Sequence, residues 1–256
     1  MGRIISICNQ KGGIAKTTTA LCLAAGLEKA GYETLLIDMD PQTNATDTYR
    51  AVTENTGTLY DLMVQGDTED VVQHTELGDI IAGDPLLKDA DRQINGAGAN
   101  FRLKKGLKEI RENYDYIILD TPPSLGILLI NALTAADSCI IPLVADRYSL
   151  QGLTALKETI NDVKEYTNPS LIVEGLLLVK FGGRMRTEKA VLEALGDYAE
   201  SLNTKIFETK IRNTNTVQKA QLARTGLYAY DPTCTAALDY LEFTMEVIGD
   251  GKAKSE

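Results

Sequence analysis

Residues 9–18 read Asn-Gln-Lys-Gly-Gly-Ile-Ala-Lys-Thr-Thr, and their types and spacing suit phosphate binding. An apolar run at 4–8 precedes them and a small-residue helical pattern at 17–30 follows. A glycine turn between strand and helix directs backbone N–H groups at phosphate oxygens, because glycine has no Cβ to obstruct their approach. Lys16 can then lie across the β- and γ-phosphates, and Thr17 can offer its hydroxyl to Mg²⁺.

The loop departs from the strict pattern G-x-x-x-x-G-K-[ST] at both outer glycines, where Gln10 and Ala15 stand. Lys11, five positions before Lys16, is instead typical of the deviant Walker A ATPases. If position 15 needs a positive φ, alanine there costs about 1–2 kcal/mol. We still expect nucleotide to bind, with the following phosphate-loop residues: Lys11, Gly12, Gly13, Ile14, Ala15, Lys16, Thr17 and Thr18.

Two acidic segments follow apolar strand-like runs. The first contains Asp38 and Asp40, and the second begins at Asp120. In a doubly wound sheet, ligands bind outside the carboxyl ends of the strands, so both segments should reach the edge that carries the phosphate loop. An aspartate ending a buried strand can hold a water on Mg²⁺, which we predict for Asp120, while Asp40 could orient or deprotonate the attacking water.

Apolar runs alternate with helical patterns along the chain. The predicted strands are 4–8, 34–37, 80–82, 116–119, 139–144, 171–178 and 205–207. Because these runs show no polar alternation, both faces of the strands should be buried under helices. The predicted helices are 17–30, 101–113, 124–135, 150–166, 187–202, 216–225 and 235–248. The fold class is therefore α/β: a doubly wound, mostly parallel sheet with helices on both faces, of the P-loop NTPase type with a deviant Walker A loop.

Length and composition predict one ATPase domain over 1–256, with 249–256 as a flexible tail and 43–98 unassigned. Hydrophobic residues make up 44% of the chain and charged residues 24%, which is ordinary for a soluble globular protein. The four cysteines are scattered without a C-x-x-C pair, which predicts buried thiols in a reducing cytoplasm. Polar residues interrupt the most apolar stretch, 125–144, so we expect neither a membrane span nor, with a strand beginning at once, a secretory leader.

The net charge of −10 argues against a nucleic-acid partner, but its distribution is uneven. Residues 180–224 contain nine basic and five acidic side chains. A basic face on an acidic body is one interpretation, and lysines and arginines on solvated helix faces are the other. The residues from which a DNA-phosphate patch could be drawn are Arg184, Arg186, Lys189, Lys210, Arg212, Lys219 and Arg224.

Three motifs in this order carry a resemblance to a known family: residues 9–20, residues 37–46 beginning Ile-Asp-Met-Asp-Pro-Gln, and residues 119–126 beginning Leu-Asp-Thr-Pro-Pro. Together they resemble the ParA/Soj partitioning ATPases of the MinD/ParA superfamily, over nearly the whole chain. The segment 180–184, Lys-Phe-Gly-Gly-Arg, departs from that family, which usually has an aspartate after the aromatic residue.

The resemblance implies a plasmid- or chromosome-partitioning ATPase with weak intrinsic activity that uses ATP and Mg²⁺. It implies an ATP-dependent sandwich homodimer in which each Lys11 reaches the phosphates bound by the other subunit. It implies Asp40 as the catalytic carboxylate beside Lys11 and Lys16, Asp38 in the same switch segment and at the metal with Thr17 and Asp120, and Asn213 near the adenine. The ATP-bound dimer is expected to bind DNA nonspecifically on the nucleoid, and a ParB-like partner to stimulate hydrolysis.

Three other functions are weighed against this one. A MinD-like positioning ATPase would act on a membrane or a protein assembly, but residues 238–247 are acidic rather than the basic amphipathic helix that lipid binding needs. Iron–sulfur relatives need paired cysteines, which the scattered cysteines do not supply. A nonhydrolysing structural protein stays open because of Ala15.

Overall fold

The structure, a computed structural model, describes residues 1–66, 70–182 and 186–253. Its strands are β1 (Arg3–Ile7), β2 (Thr34–Asp38), β3 (Val72–Thr75), β4 (Gly78–Ile81), β5 (Tyr116–Asp120), β6 (Ser138–Leu143), β7 (Ile172–Leu178) and β8 (Lys205–Ile206). Its α-helices are α1 (Lys16–Lys29), α2 (Asn44–Tyr49), α3 (Ala90–Gln93), α4 (Arg102–Ile110), α5 (Ile127–Ala135), α6 (Arg147–Tyr166), α7 (Arg186–Ser201), α8 (Thr216–Leu222), α9 (Leu227–Tyr230) and α10 (Thr235–Ala253).

The strands form one sheet in the order β3-β4-β2-β5-β1-β6-β7-β8. β3 runs antiparallel to β4, and the other neighbouring pairs are parallel. The chain moves outward from β1 on one side, returns through β5, and continues through β6 on the other side. This arrangement confirms the predicted doubly wound, mostly parallel sheet, and the connections meet beside the carboxyl end of β1.

Each central strand buries both of its faces. In β2, Leu35 and Ile37 belong to one apolar layer, whereas Leu36 between them belongs to the opposite layer. The first layer includes side chains of α4, α5 and α6, and the second includes those of α1, α8, α9 and α10. Fully burying one Leu or Ile side chain contributes about 1.5–3 kcal/mol, so the two layers fix the strand ends firmly.

The predicted elements are confirmed within a few residues at most boundaries. Helix α6 begins at Arg147, earlier than predicted, and α10 continues to Ala253, through most of the segment predicted to be a tail. The stretch 43–98 contains β4, which overlaps the strand predicted at 80–82, and also α2, a π-helical turn at Asp61–Gln65, β3 and α3, which the sequence did not predict. Among the described helices, none combines the length and apolar character required to cross a bilayer.

Candidate nucleotide-binding site

The phosphate loop occupies the space between β1 and the first turn of α1. Asn9 anchors its start, because the side-chain amide donates to the Pro142 carbonyl at 2.8 Å and the side-chain oxygen accepts from the Lys11 N–H at 3.0 Å. Gly13 has a φ of 71°, and Ala15, directly before the helix, has a φ of 64° and a ψ of 29°. Position 15 is therefore left-handed, as the glycine of the usual motif would suggest, and alanine holds that conformation under strain.

Lys16 begins α1 with its side chain buried in the site. Its ammonium donates to the Lys11 carbonyl at 3.1 Å. Burial lowers the pKa of Lys16, while the carboxyl groups of Asp120 and Asp40 oppose that shift. The side chain is thus a partly desolvated cation next to two acids, which strengthens its attraction to an incoming anion.

Asp120 is the last residue of β5 and is fully buried. The sheet register sets it beside Ile7 of β1 and Asp38 of β2, so three motifs meet at one edge. Within the described part of the chain, neither oxygen of the Asp120 carboxyl has a hydrogen-bond partner. Burial raises the pKa of Asp120 well above its usual range, Asp38 raises it further, and the nearby Thr17 hydroxyl opposes the rise.

Asp38 is also fully buried, but its oxygens are occupied by the protein itself. One oxygen accepts from the Asp40 N–H at 3.1 Å, and the other accepts from the Thr46 N–H at 2.8 Å and the Thr46 hydroxyl at 2.7 Å. Burial raises the pKa of Asp38 to about 6, and the bonds from Thr46 limit that rise. In this structure Asp38 fixes the segment that leads into α2, and its role at a metal stays a prediction.

Asp40 lies just beyond β2 and lines the cavity described below. One of its oxygens accepts from the Gln42 N–H at 3.0 Å, which closes a tight turn. A carboxylate has capacity for several donors, so this bond leaves Asp40 able to accept from a water.

A cleft of about 450 Å³ opens over the loop. It brings together most of the predicted site residues: Gly12, Gly13, Ala15, Lys16, Thr17, Thr18, Asp40 and Asn213. Ile14 is buried, so only its backbone can serve a ligand. The cleft is also lined by residues that the sequence analysis did not single out, among them Asp47, Thr48, Lys180, Gln218 and Gln221. The sequence feature that could have indicated Lys180 is its position in the segment 180–184, which departs from the family pattern.

Lys11 does not reach into this cleft from its own chain. Its ammonium is held at 2.7 Å by the carboxylate of Asp146, which directly precedes α6. Both side chains are about one-third exposed, at 33% and 36%, so the pair lies on an accessible surface.

The structure describes the surroundings of only some of the residues predicted to contact DNA. Arg184 lies outside the described residues, as do the side chains of Arg186 and Lys189. Arg212 forms a forked ion pair with the buried Asp239, and Arg224 pairs with Asp47 at 2.6 Å. Both guanidinium groups hold acids of this chain, and DNA contacts by Arg212 and Arg224 stay predictions.

The other two basic residues keep their charge at the surface. The Lys210 ammonium lies 5.1 Å from the centroid of the Phe181 ring, and Lys219 is exposed on α8. The contact with the ring does not neutralise the Lys210 ammonium, so both lysines can interact with an anionic partner.

Comparisons with known proteins identify the family of this chain. A family model described as an AAA domain matches residues 2–173. The sporulation initiation inhibitor protein Soj of Bacillus subtilis (strain 168) is 37% identical, over 98% of this chain and 100% of that protein. The chromosome partitioning protein ParA of Myxococcus xanthus (strain DK1622) is 38% identical, over 100% of this chain and 91% of that protein.

A solved structure extends the comparison to a bound nucleotide. Cobyrinic acid a,c-diamide synthase from Mycobacterium smegmatis, crystallised with ADP and magnesium, has a TM-score of 0.84 and 28% identity, over 99% of this chain and 97% of that one. The fold, the phosphate loop and the full-length similarity to Soj and ParA lead to one conclusion. The chain belongs to the ParA/Soj family of partitioning ATPases.

Proposed function

We propose that this protein is an ATP hydrolase of DNA partitioning, and that its substrate complex is ATP with Mg²⁺. The observation that carries the proposal is Asp120, a buried carboxyl with no hydrogen-bond partner in the described chain, beside Lys16 and Thr17. An unpaired buried carboxylate is costly unless a cation neutralises it. Magnesium in nucleotide sites takes one or two protein carboxylates and completes its shell with water and phosphate oxygens.

The donor set fits that ion only together with a nucleotide. Among the described residues, no group of three or more His, Cys, Asp or Glu side chains could hold a metal without other ligands. Thr17 and Asp120 would hold Mg²⁺ with the phosphates, and the ion would neutralise phosphate charge. The backbone of Gly12, Gly13, Ile14 and Ala15, with Thr18, would bind the phosphates, and Asn213 would lie at the far end of the cleft near the adenine.

The chain's own groups account for the remaining chemistry. Lys16 would stabilise the negative charge that builds on the phosphates, because its ammonium is already buried beside the loop. Asp40 would orient the attacking water and accept its proton, since it lines the cleft and retains free acceptor capacity. Lys11 would act on a second subunit after leaving Asp146, which requires an ATP-dependent homodimer.

Partitioning also requires DNA and a stimulating partner. We infer that Lys210 and Lys219 contribute to a nonspecific phosphate-contacting surface on the nucleoid, and that a ParB-like protein accelerates hydrolysis. The full-length similarity to Soj and ParA supports both inferences. A MinD-like membrane role has less support, because α10 buries Tyr240, Phe243 and Val247 against the core.

Turnover measurements test the enzymatic part. Asp40→Ala is expected to bind ATP as the unchanged protein does and to lower turnover by at least about 100-fold, the scale of a lost general base. Size-exclusion chromatography should then show a dimer with ATP and a monomer without it. Asp162→Ala on α6, an exposed acid far from the motifs, is the matched control and should keep full turnover. Equal turnover in Asp40→Ala and Asp162→Ala would refute the assignment.

DNA retention tests the second part. Lys210→Ala with Lys219→Ala should weaken ATP-dependent DNA binding and reduce its salt dependence, because each phosphate contact releases counterions. Retention that is unchanged at every salt concentration would remove these lysines from the surface.

A further inference from the structure

Lys180, two residues beyond the end of β7, contacts the phosphate loop from the other side of the cleft. The Lys180 ammonium donates to the Gly13 carbonyl at 2.7 Å, and Lys180 lines the same cleft as the loop. The family resemblance gave this position no role, since the segment 180–184 is where the sequence departs from its relatives.

The backbone of Lys180 is held by the sheet, although the residue itself is exposed. The residue before it donates its N–H to Leu143 at 2.9 Å, and Phe181 after it donates to Ile211 at 2.9 Å. Between these two anchors Lys180 has a φ of 52°, a left-handed conformation that a lysine rarely adopts. Strained backbone of this kind persists where the surrounding structure holds it and is concentrated at functional sites.

The phosphate loop, at the other end of the contact, contains a strained residue as well. Gly13 can hold its φ of 71° without cost, but Ala15, two residues later, has a φ of 64°. The cost of a positive φ at alanine favours a change of the loop to another backbone conformation. Such a change would turn the loop N–H groups away from the cleft. A bond from an ammonium to a carbonyl is stronger than a neutral hydrogen bond, and it fixes the loop between these two residues.

We propose that Lys180 is a positioning residue of the nucleotide site, whose ammonium keeps the phosphate loop in its binding conformation despite Ala15. The proposal rests on the proposed function for what the loop binds. It explains how this chain keeps a working loop without the usual glycine: a lysine from the end of β7 supplies the restraint. Glycine at position 15 should therefore make Lys180 dispensable.

Calorimetry with ADP on the full chain tests this dependence. Lys180→Met removes the ammonium at similar volume and should raise the dissociation constant about tenfold, the size of one charge-assisted hydrogen bond. Lys180→Arg should stay within about threefold of the unchanged protein, because a guanidinium also donates to a carbonyl. In an Ala15→Gly background, Lys180→Met should change the dissociation constant by less than about threefold.

Controls separate this role from simple loss of charge. Lys29→Met, at the opposite end of α1 and outside the cleft, removes one positive charge and should change ADP binding less than about twofold. If Lys180→Met causes an equal loss with and without the Ala15→Gly change, Lys180 does not act through the loop, and the proposal is overturned. It is also overturned if Lys180→Met binds ADP as tightly as the unchanged protein.

A measurement without nucleotide separates failure of this proposal from failure of the ATPase assignment. Tryptic cleavage after Lys11 and Lys16 should be faster in Lys180→Met than in the unchanged protein or Lys29→Met, because the loop opens more often. If no variant binds ADP, the ATPase assignment fails, and the cleavage rates still decide the role of Lys180. Equal cleavage rates in the three proteins would overturn it.

Discussion

Ala15→Gly should stabilise the protein, which reverses the usual effect of placing glycine beside a helix. Ala15 has a φ of 64°, and a left-handed conformation costs a residue with a Cβ about 1–2 kcal/mol. Glycine avoids that cost but loses about 0.4–1 kcal/mol through the greater freedom of the unfolded chain. The net expectation is a gain of about 0.5–1 kcal/mol, or about 2 °C in the melting temperature of a chain of this size.

Urea unfolding of nucleotide-free protein measures this difference directly. The matched control is Ala30→Gly at the other end of α1, where φ is −82° and glycine relieves no strain. That variant should lose about 0.5 kcal/mol, because only the unfolded-state effect remains. If Ala15→Gly destabilises as much as Ala30→Gly, position 15 is not left-handed in solution and the reasoning about the loop fails.

The same substitution should have little effect on nucleotide affinity. The strain is already present in the nucleotide-free loop, so binding neither adds nor releases it. We expect ADP affinity to change less than about threefold, which is under about 0.7 kcal/mol by the usual conversion. If the unchanged protein does not bind ADP and Ala15→Gly restores binding, the alanine impairs the loop.

Three further predictions concern the hydrogen bonds of Asp38, the burial of Glu28 on α1, and the packing of α1 against α10. Thr46→Val removes the hydroxyl that donates to Asp38 and accepts from the Gly83 N–H, and should cost about 1–3 kcal/mol in urea unfolding. Because the pKa of Asp38 is about 6, the loss should be larger at pH 8, where the carboxylate is ionised, than at pH 5; equal losses would contradict the assignment. Burial raises the pKa of Glu28 to about 7, and Asp79 and Glu33 raise it too, so this group lowers stability as pH rises from about 4.5 to about 7. Glu28→Gln should therefore raise the urea midpoint at pH 8 and leave it nearly unchanged at pH 4, and a gain independent of pH would refute this cause. Gly26→Ala would set a Cβ 2.4 Å from the Thr244 hydroxyl oxygen where α1 meets α10, so it should destabilise by about 1–3 kcal/mol. Adding Thr244→Ala should recover part of that loss, and a double variant as unstable as the sum of both single changes would contradict the contact.

Much of the fold followed from local pattern. Runs such as the one at 116–119 lack polar alternation, and burial on both faces permits only a covered, parallel sheet. Helix α2 and strand β3 were not predicted, for a physical reason. They are held by side-chain contacts such as Thr46 with Asp38 and Gln73 with the Val52 carbonyl, which add no periodicity to the sequence.

The candidate site divides in the same way. The meeting of the phosphate loop, Asp40 and Asp120 at one edge of the sheet could be predicted, because the carboxyl ends of parallel strands lie together whatever the details of packing. The contacts of Arg212 and Asp38 within the chain could not be predicted, since sequence gives residue type but not the neighbour that each side chain meets. Asp239 and Thr46 are those neighbours, 27 and 8 residues away.

The amino-acid sequence alone specifies the chemistry available to this protein: a phosphate loop, an aspartate at the end of a buried strand, and the family to which both belong. The partner of each charged side chain depends on the folded structure, because ion pairing and burial bring together residues that are far apart along the chain. That structure holds Lys11 on Asp146, commits Arg212 to Asp239, and leaves Asp120 without a partner among the residues described. It also brings Lys180 into contact with a loop 167 residues away, where we propose that its ammonium restrains the backbone around Ala15.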